Sequence, residues 1–204
     1  MIHVLDVGSG PGFLSIVLVE NGYCVTACDY SEEMMLQAKM NAASCHADID
    51  FRLENAEDLS FADASFDVVV SRNLTWNLQK PKDAYLEWLR VLKPKGLMLV
   101  FDANWYAYLR DEERYQAYEK DRQNVLASGY EDYNIGVDFD KMEEIADALP
   151  LTDAIRPGWD VDSLASQGIR QVEAIEDIGA RVYSEKEKVN YGSTPMFMIK
   201  AIKG

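Results

Sequence analysis

The 204-residue sequence predicts an α/β fold: a doubly wound sheet of about seven mostly parallel strands, with a helical insertion after the fifth. Three observations carry this prediction. Strand-like and helix-like segments alternate through the first hundred residues. The clearest strands are unbroken apolar runs, as in a sheet covered on both faces. A glycine-rich turn follows the first of them. Strand, helix, strand repeated in this way implies right-handed crossovers.

The elements follow in order. Residues 4–7 form an apolar run that stops at Gly8. Residues 14–20 read as a helix closed by Asn21-Gly22 in the C-cap position. Residues 23–28 are the second strand, ending at Asp29. Ser31 is placed to cap a helix carrying Met34, Met35, Leu36 and Ala38. Residues 49–53 give a short third strand, and the fully apolar 66–71 suits the centre of a parallel sheet. An amphipathic helix over 81–92 presents Ala84, Trp88 and Val91 on one face. Pro94-Lys95-Gly96 is expected to break it before a fifth strand over 97–101.

After Asp102 the rhythm changes. Residues 104–128 and 139–149 read as helices with no strand between them, too long for an ordinary crossover. The chain is therefore expected to be one domain over 1–204, with 103–158 a helical insertion that acts as a lid. Residues 161–165 are the last crossover helix, and strands follow at 172–175 and 196–199.

Composition limits function. Lys plus Arg number 20 and Asp plus Glu 35, a net charge of −15. Such a surface repels phosphate backbones and anionic lipid, so nucleic acid is not an expected partner. No apolar run is long enough to span a bilayer and no leader pattern is evident, so the expectation is a soluble cytoplasmic protein without membrane insertion. Cys24, Cys28 and Cys45 are too few and odd in number for a disulfide framework. Cys24 and Cys28, four apart in one strand, would sit about 13 Å from each other, too far to share a metal. Reduced, buried thiols and no metal are expected.

The strongest constellation is Val4-Leu5-Asp6-Val7-Gly8-Ser9-Gly10-Pro11-Gly12, a strand entering a glycine turn and then a helix. Glycines let the backbone bend sharply and let a ligand approach it, and the helix start offers free N–H groups to an anionic group. Asp29 stands 21 residues after Gly8, at the end of the second strand. A nucleoside-binding α/β fold places an acid there for both ribose hydroxyls. A dinucleotide fingerprint would want a third glycine at position 13, where Phe13 stands instead. A Walker loop would need Gly-Lys-Ser/Thr, which is absent.

These residues resemble the class I S-adenosylmethionine-dependent methyltransferases, with their Rossmann-like sheet and antiparallel last strand. Residues 4–12 look like the first motif of that family, and Cys28-Asp29-Tyr30-Ser31 like its ribose-binding strand end. Residues 54–61 resemble the adenine loop, 66–71 the fourth strand, and 91–96 the turn before the fifth. The likeness is close over 1–102 and only in outline over 160–202. Within the family it is nearest to the menaquinone/ubiquinone-type small-molecule enzymes.

The resemblance implies roles by position. Asp6 and the Gly8-Ser9-Gly10 turn would hold the methionine end, and Asp29 the ribose. Tyr30 and Met34 would cover the adenine. Asn55 would meet its amino group, with the Ala56 N–H on the ring and Glu57 in the same loop. The family often has Asp where Asn55 stands, so a neutral hydrogen bond replaces a charged one and weaker cofactor binding is expected. Arg72 and Asn73 would line the methionine end and the mouth of the substrate pocket. Family members often carry helices before the first strand. Met1 stands only three residues before it here, so either the start is not the native one or the pocket is open or completed by a partner.

Methyl transfer needs alignment and water exclusion more than catalytic side chains. Asp102 and Tyr106 are the candidate catalytic residues. Trp76, Asn104 and Trp105 are expected to line the pocket of a small-molecule acceptor, and Tyr108, Tyr115 and Tyr118 to enlarge it, although aromatics at helical spacing also serve as core. His3 and His46 lie away from the strand edges where ligands bind and are read as structural. The resemblance also allows a homodimer. The competing function is a non-catalytic S-adenosylmethionine-binding sensor or partner subunit.

Overall fold

The computed structural model describes residues 1–135 and 138–204. The first strand, β1 (His3–Val7), buries all but its first residue. Helix α1 (Phe13–Glu20) returns the chain to β2 (Cys24–Asp29), and α2 (Glu32–Ser44) leads to β3 (Asp50–Leu53). Ser31 caps α2 by accepting the Met34 N–H, and Glu32 and Glu33 in its first turn complement the helix dipole. Next come β4 (Phe66–Arg72), a single 3-10 turn (Thr75–Asn77), α3 (Pro81–Val91) and β5 (Leu92–Asp102).

Beyond β5 lie a second 3-10 turn (Ala107–Leu109), α4 (Glu112–Ser128) and α5 (Phe139–Asp147). The crossover helix α6 (Gly158–Ser166) then precedes β6 (Gln171–Ile175). Short helices α7 (Gly179–Val182) and α8 (Glu185–Asn190) separate it from β7 (Phe197–Ile202). Among the described residues no helix is long and apolar enough to cross a membrane.

The seven strands form one sheet in the order β3-β2-β1-β4-β5-β7-β6. Neighbours from β3 through β5 are parallel, whereas β7 runs antiparallel to both β5 and β6. Strand order reverses between β1 and β4, and in open α/β sheets a ligand crevice opens at such a switch point, beyond the carboxyl ends of the strands. Beneath it, Trp88 and Tyr85 of α3 are fully buried against Leu5, Val7, Val69, Met98 and Ile199. Trp88 meets Tyr85 edge-on, with ring centres 5.4 Å apart. Its indole N–H donates to the Ala56 carbonyl at 3.0 Å, so the core also pins the loop after β3.

Several elements differ from the sequence-based expectation. Pro94-Lys95-Gly96 does not end one element and start another: β5 begins at Leu92 and carries the tripeptide as an irregularity opposite Phe66–Val68. Lys95 adopts a φ of 63°, its N–H donates to the Lys203 carbonyl, and the Lys203 N–H returns to Gly96. The C-terminal backbone thus supplies the partners that a breaker would otherwise leave unpaired. The helix expected from residue 104 starts only at Glu112, where Asp111 caps it by accepting the Arg114 N–H. Helices α7 and α8 were not anticipated, yet Ser184 and Glu187 form a reciprocal capping box on α8 that is readable as S-x-x-E. Cys45 is exposed at the end of α2, contrary to the expectation of buried thiols, while Cys28 is buried.

Candidate active site

The glycine turn after β1 uses left-handed backbone, with φ of 67° at Gly8, 52° at Gly10 and 84° at Gly12. Each of the three is specified differently. A Cβ on Gly8 would stand 2.6 Å from Leu74 Cδ2, and one on Gly12 3.2 Å from Ala38 Cβ of α2. The glycine is therefore at position 12, not 13, because α2 packs there. A Cβ on Gly10 would meet nothing within 4 Å, so this glycine faces open space. The Gly8 and Ser9 N–H groups donate to the Cys28 carbonyl at 2.8 and 3.0 Å, tying the turn to β2.

Asp29 completes that tie: its Oδ2 accepts the Gly10 N–H and its Oδ1 the Ser31 N–H, both at 2.9 Å. Asp6 lies below, fully buried, accepting the Ser15 hydroxyl at 2.5 Å. Burial pushes its carboxyl up to about 6, against the lowering effect of the Ser15 hydrogen bonds. Burial likewise pushes the Cys28 thiol up.

Across the cleft, Asn55 folds on its own loop, its Oδ1 accepting the Glu57 N–H at 3.0 Å, and Glu57 in turn accepts the Lys80 N–H at 2.7 Å. The Arg72 guanidinium lies 5.4 Å from the centre of the Phe13 ring and 3.9 Å from Glu187.

Together these residues surround a cleft of about 710 Å³. Asp6, Gly8, Ser9, Gly10, Asp29, Tyr30, Asn55, Ala56, Glu57, Arg72 and Asn73 all line it. Met34 does not: it sits on the outer side of α2 at 42% exposure, one turn beyond Tyr30. The lining also includes Phe13, Leu74 and Asn77–Gln79, which sequence reasoning missed. Gly12 was a signal for Phe13, but the 3-10 turn that brings residues 74–79 back over the cleft leaves no mark in the sequence. Two features call for a polar ligand close to the backbone. Gly10 is open above, and the Ser9 hydroxyl is buried with no hydrogen-bond partner among the described residues.

A second cavity, about 290 Å³, adjoins the cleft, and Asn73 lines both. Trp76, Trp105 and Tyr106 line it, joined by Tyr108 and Tyr118. Asn104 does not belong to it; its amide donates to the Arg156 carbonyl at 3.1 Å. Tyr115 is likewise outside, 45% exposed on α4. His3 and His46 are exposed and line neither space.

Asp102, a candidate catalytic residue, is fully buried and engaged on both oxygens. It accepts from the Thr75 hydroxyl, the Trp76 N–H (3.0 Å), the Ala103 N–H (2.8 Å), the Trp105 indole (3.0 Å) and Arg156 (3.1 Å). It cannot reach an acceptor; it holds the two tryptophans that line the cavity. Arg156 also binds Asp160 through two nitrogens and lies over Phe197. Tyr106 does line the cavity, but burial and then the Glu143 charge raise its hydroxyl pKa, which opposes a phenolate base near neutrality.

The sheet order, the glycine turn and the acid closing β2 together make a Rossmann-like α/β domain with a cleft at its switch point. Residues 5–100 match the model of the family described as "Methyltransferase domain". The chain is 40% identical over 98 residues to the demethylmenaquinone methyltransferase of Renibacterium salmoninarum, covering 48% of this chain and 40% of that protein. It is 35% identical over 104 residues to the ubiquinone biosynthesis O-methyltransferase of Caulobacter vibrioides, covering 50% and 41%. Each alignment thus spans about two fifths of the relative's own length. In structure the chain resembles a SAM-dependent methyltransferase from Aquifex aeolicus, with a TM-score of 0.62 at 18% identity over 100% of this chain and 82% of that one. At that identity the likeness is one of fold.

Proposed function

We propose that this chain methylates a small molecule with S-adenosylmethionine as donor, acting as a methyltransferase in the cytoplasm. The observation that carries the reading is the meeting of two spaces at Asn73, a polar cleft fitted to an amino-acid nucleoside and an aromatic cavity fitted to an acceptor. S-adenosylmethionine, held by the cleft residues, would supply an electrophilic methyl group to an acceptor lone pair, with the C–S electron pair staying on sulfur and any acceptor proton lost to bulk solvent outside the cavity.

The residues of the chain bind and align. The Gly8-Ser9-Gly10 turn and the ionised Asp6 hold the methionine end, with the unpartnered Ser9 hydroxyl as a further polar contact. Asp29 keeps lone pairs for ribose hydroxyls beside its bonds to Gly10 and Ser31. Tyr30 and the loop 54–57 bound the adenine side. Trp76, Trp105 and Tyr106 exclude water from the acceptor and orient it. No side chain is assigned as a base. The insertion 103–158 closes this end, and a homodimer is compatible with the site.

Titration calorimetry with S-adenosylhomocysteine, combined with a labelled-methyl transfer screen, tests this. Binding accompanied by transfer to a small acceptor supports it. Binding with no transfer to any acceptor would favour the sensor or partner-subunit reading, and preference for a nicotinamide dinucleotide would reject both.

A further inference from the structure

Arg72 closes β4 in the lining of the cofactor cleft, and Glu187 of α8 is its one acidic partner among the described residues. The pair is weak by geometry, with 3.9 Å between Nη2 and Oε1 and side chains 34% and 27% exposed. Such a pair contributes little and yields readily to a better-placed charge. The other Glu187 oxygen is already engaged: Oε2 accepts the Ser184 N–H and hydroxyl at 2.8 and 2.7 Å. Oε1 is the oxygen that can change partner.

Two tyrosine hydroxyls lie on its side of α8. Tyr191 follows one turn after Glu187, its N–H donating to the Glu187 carbonyl at 2.8 Å. Burial and then the Glu187 charge raise the Tyr191 hydroxyl pKa. Tyr183 packs on Tyr191 with ring centres 5.7 Å apart, and its hydroxyl is buried with no hydrogen-bond partner among the described residues. A buried donor left unmatched costs stability, and a carboxylate oxygen turned toward it removes that cost.

The same short helix reaches the second cavity. Asn190 and Tyr191 line it, and the Tyr191 ring meets Trp105 edge-on, with centres 5.1 Å apart and planes at 77°. Trp105 is itself held, its indole N–H on Asp102 at 3.0 Å. Glu187 and Tyr191 thus stand one turn apart, the first on Arg72 of the cofactor cleft and the second in the wall of the acceptor cavity.

We propose that Glu187 is a positioning residue that couples the two sites: Arg72 exchanges it for the carboxylate of the bound cofactor, Oε1 turns to the Tyr183 and Tyr191 hydroxyls, and Tyr191 shifts against Trp105. The Tyr191 wall then takes its working position when the amino-acid end of the cofactor is in place. This rests on the methyltransferase reading above. Coupling of this kind requires contacts that differ between two states, and the Glu187 carboxylate supplies them.

The test uses the full chain labelled with fluorotryptophan, which gives one fluorine resonance for each of four tryptophans, the Trp105 resonance being assigned with Trp105→Phe. The ligands are S-adenosylhomocysteine and methylthioadenosine, which shares the nucleoside and lacks the amino acid. At saturation S-adenosylhomocysteine should move the Trp105 resonance and methylthioadenosine should not. Glu187→Gln keeps a residue suited to the capping box. In that variant the Trp105 resonance should stay still, and S-adenosylhomocysteine should bind up to about fivefold more tightly in calorimetry, because a competitor for Arg72 is gone. Equal movement with methylthioadenosine, movement that survives Glu187→Gln, or weaker binding in that variant overturns the proposal. If Glu187→Gln does not fold, Arg72→Gln at saturating S-adenosylhomocysteine decides it, and a Trp105 resonance that still moves is the overturning result. Bound S-adenosylhomocysteine that leaves Trp105 unmoved in the wild type overturns the proposal alone, whereas failure to bind removes the methyltransferase reading and the proposal with it.

Discussion

Asp29 accepts the Gly10 backbone N–H at 2.9 Å, so the residue that closes β2 also fixes the turn that follows β1. Two motifs that look independent in sequence are one mechanical unit. A carboxylate held by two backbone N–H groups is aimed before any ligand arrives. That preorganisation reduces the ordering cost of binding.

Removing the carboxylate should therefore act twice, through lost ligand contacts and through a looser turn. Asp29→Ala should weaken S-adenosylmethionine binding by at least about tenfold in calorimetry. Unchanged affinity would remove Asp29 from the site.

The two glycines beside it should separate folding from binding. Gly10→Ala places a methyl group where nothing lies within 4 Å, so its cost to the fold is the left-handed backbone alone, about 1–2 kcal/mol. Its cofactor affinity should collapse, because the methyl group enters the cleft. Gly8→Ala adds a collision with Leu74 at 2.6 Å and should lower the melting temperature further than Gly10→Ala. Equal melting temperatures for the two would contradict this.

Asp6 gives the site a pH signature. Its carboxyl is raised from 3.8 to about 6, mainly by burial, so the folded state holds a proton that the unfolded state has released between those values. A raised acid makes stability fall as pH climbs from about 4 to about 6 and then level off. Asp6→Asn cannot titrate. Its unfolding free energy should gain on the wild type across that window, by up to roughly 3 kcal/mol, in denaturant titrations at each pH. A pH-independent difference would show that Asp6 is not the titrating group.

The Asp102–Arg156 pair is almost wholly buried, with side-chain exposures of 0% and 1%. Arg156→Met would leave Asp102 and Asp160 as uncompensated buried carboxylates, at a cost of about 3–5 kcal/mol. Chemical denaturation should report that loss, and the environment of Trp76 and Trp105, both anchored on Asp102, should change in near-ultraviolet circular dichroism. A variant as stable as wild type would refute the anchoring role.

The contrast between Asp29 and Asp102 marks what a sequence can reveal. The position of Asp29 was readable because it is local: it ends a strand, and its distance from the glycine turn follows from the length of one βαβ unit. Asp102 ends a strand at the same edge and looked equivalent. Its fate was set by Arg156, more than fifty positions away, whose approach no periodicity announces. Met34 and Asn104 stand outside the linings of the cleft and the second cavity for a related reason. A helix position or a loop residue can be located along its element, but the direction of its side chain depends on what packs against it.

The sequence by itself determined the α/β alternation, the central strands, and the glycine turn with its acid. These rest on local propensity and on spacings fixed within single crossovers. Only the tertiary structure decided the path of β5 through Pro94-Lys95-Gly96, the return of residues 74–79 over the cleft, and the aromatic cavity with Arg122 in its wall. Each of those depends on groups distant in the chain satisfying one another's hydrogen bonds and charges on burial, a condition that local sequence does not encode.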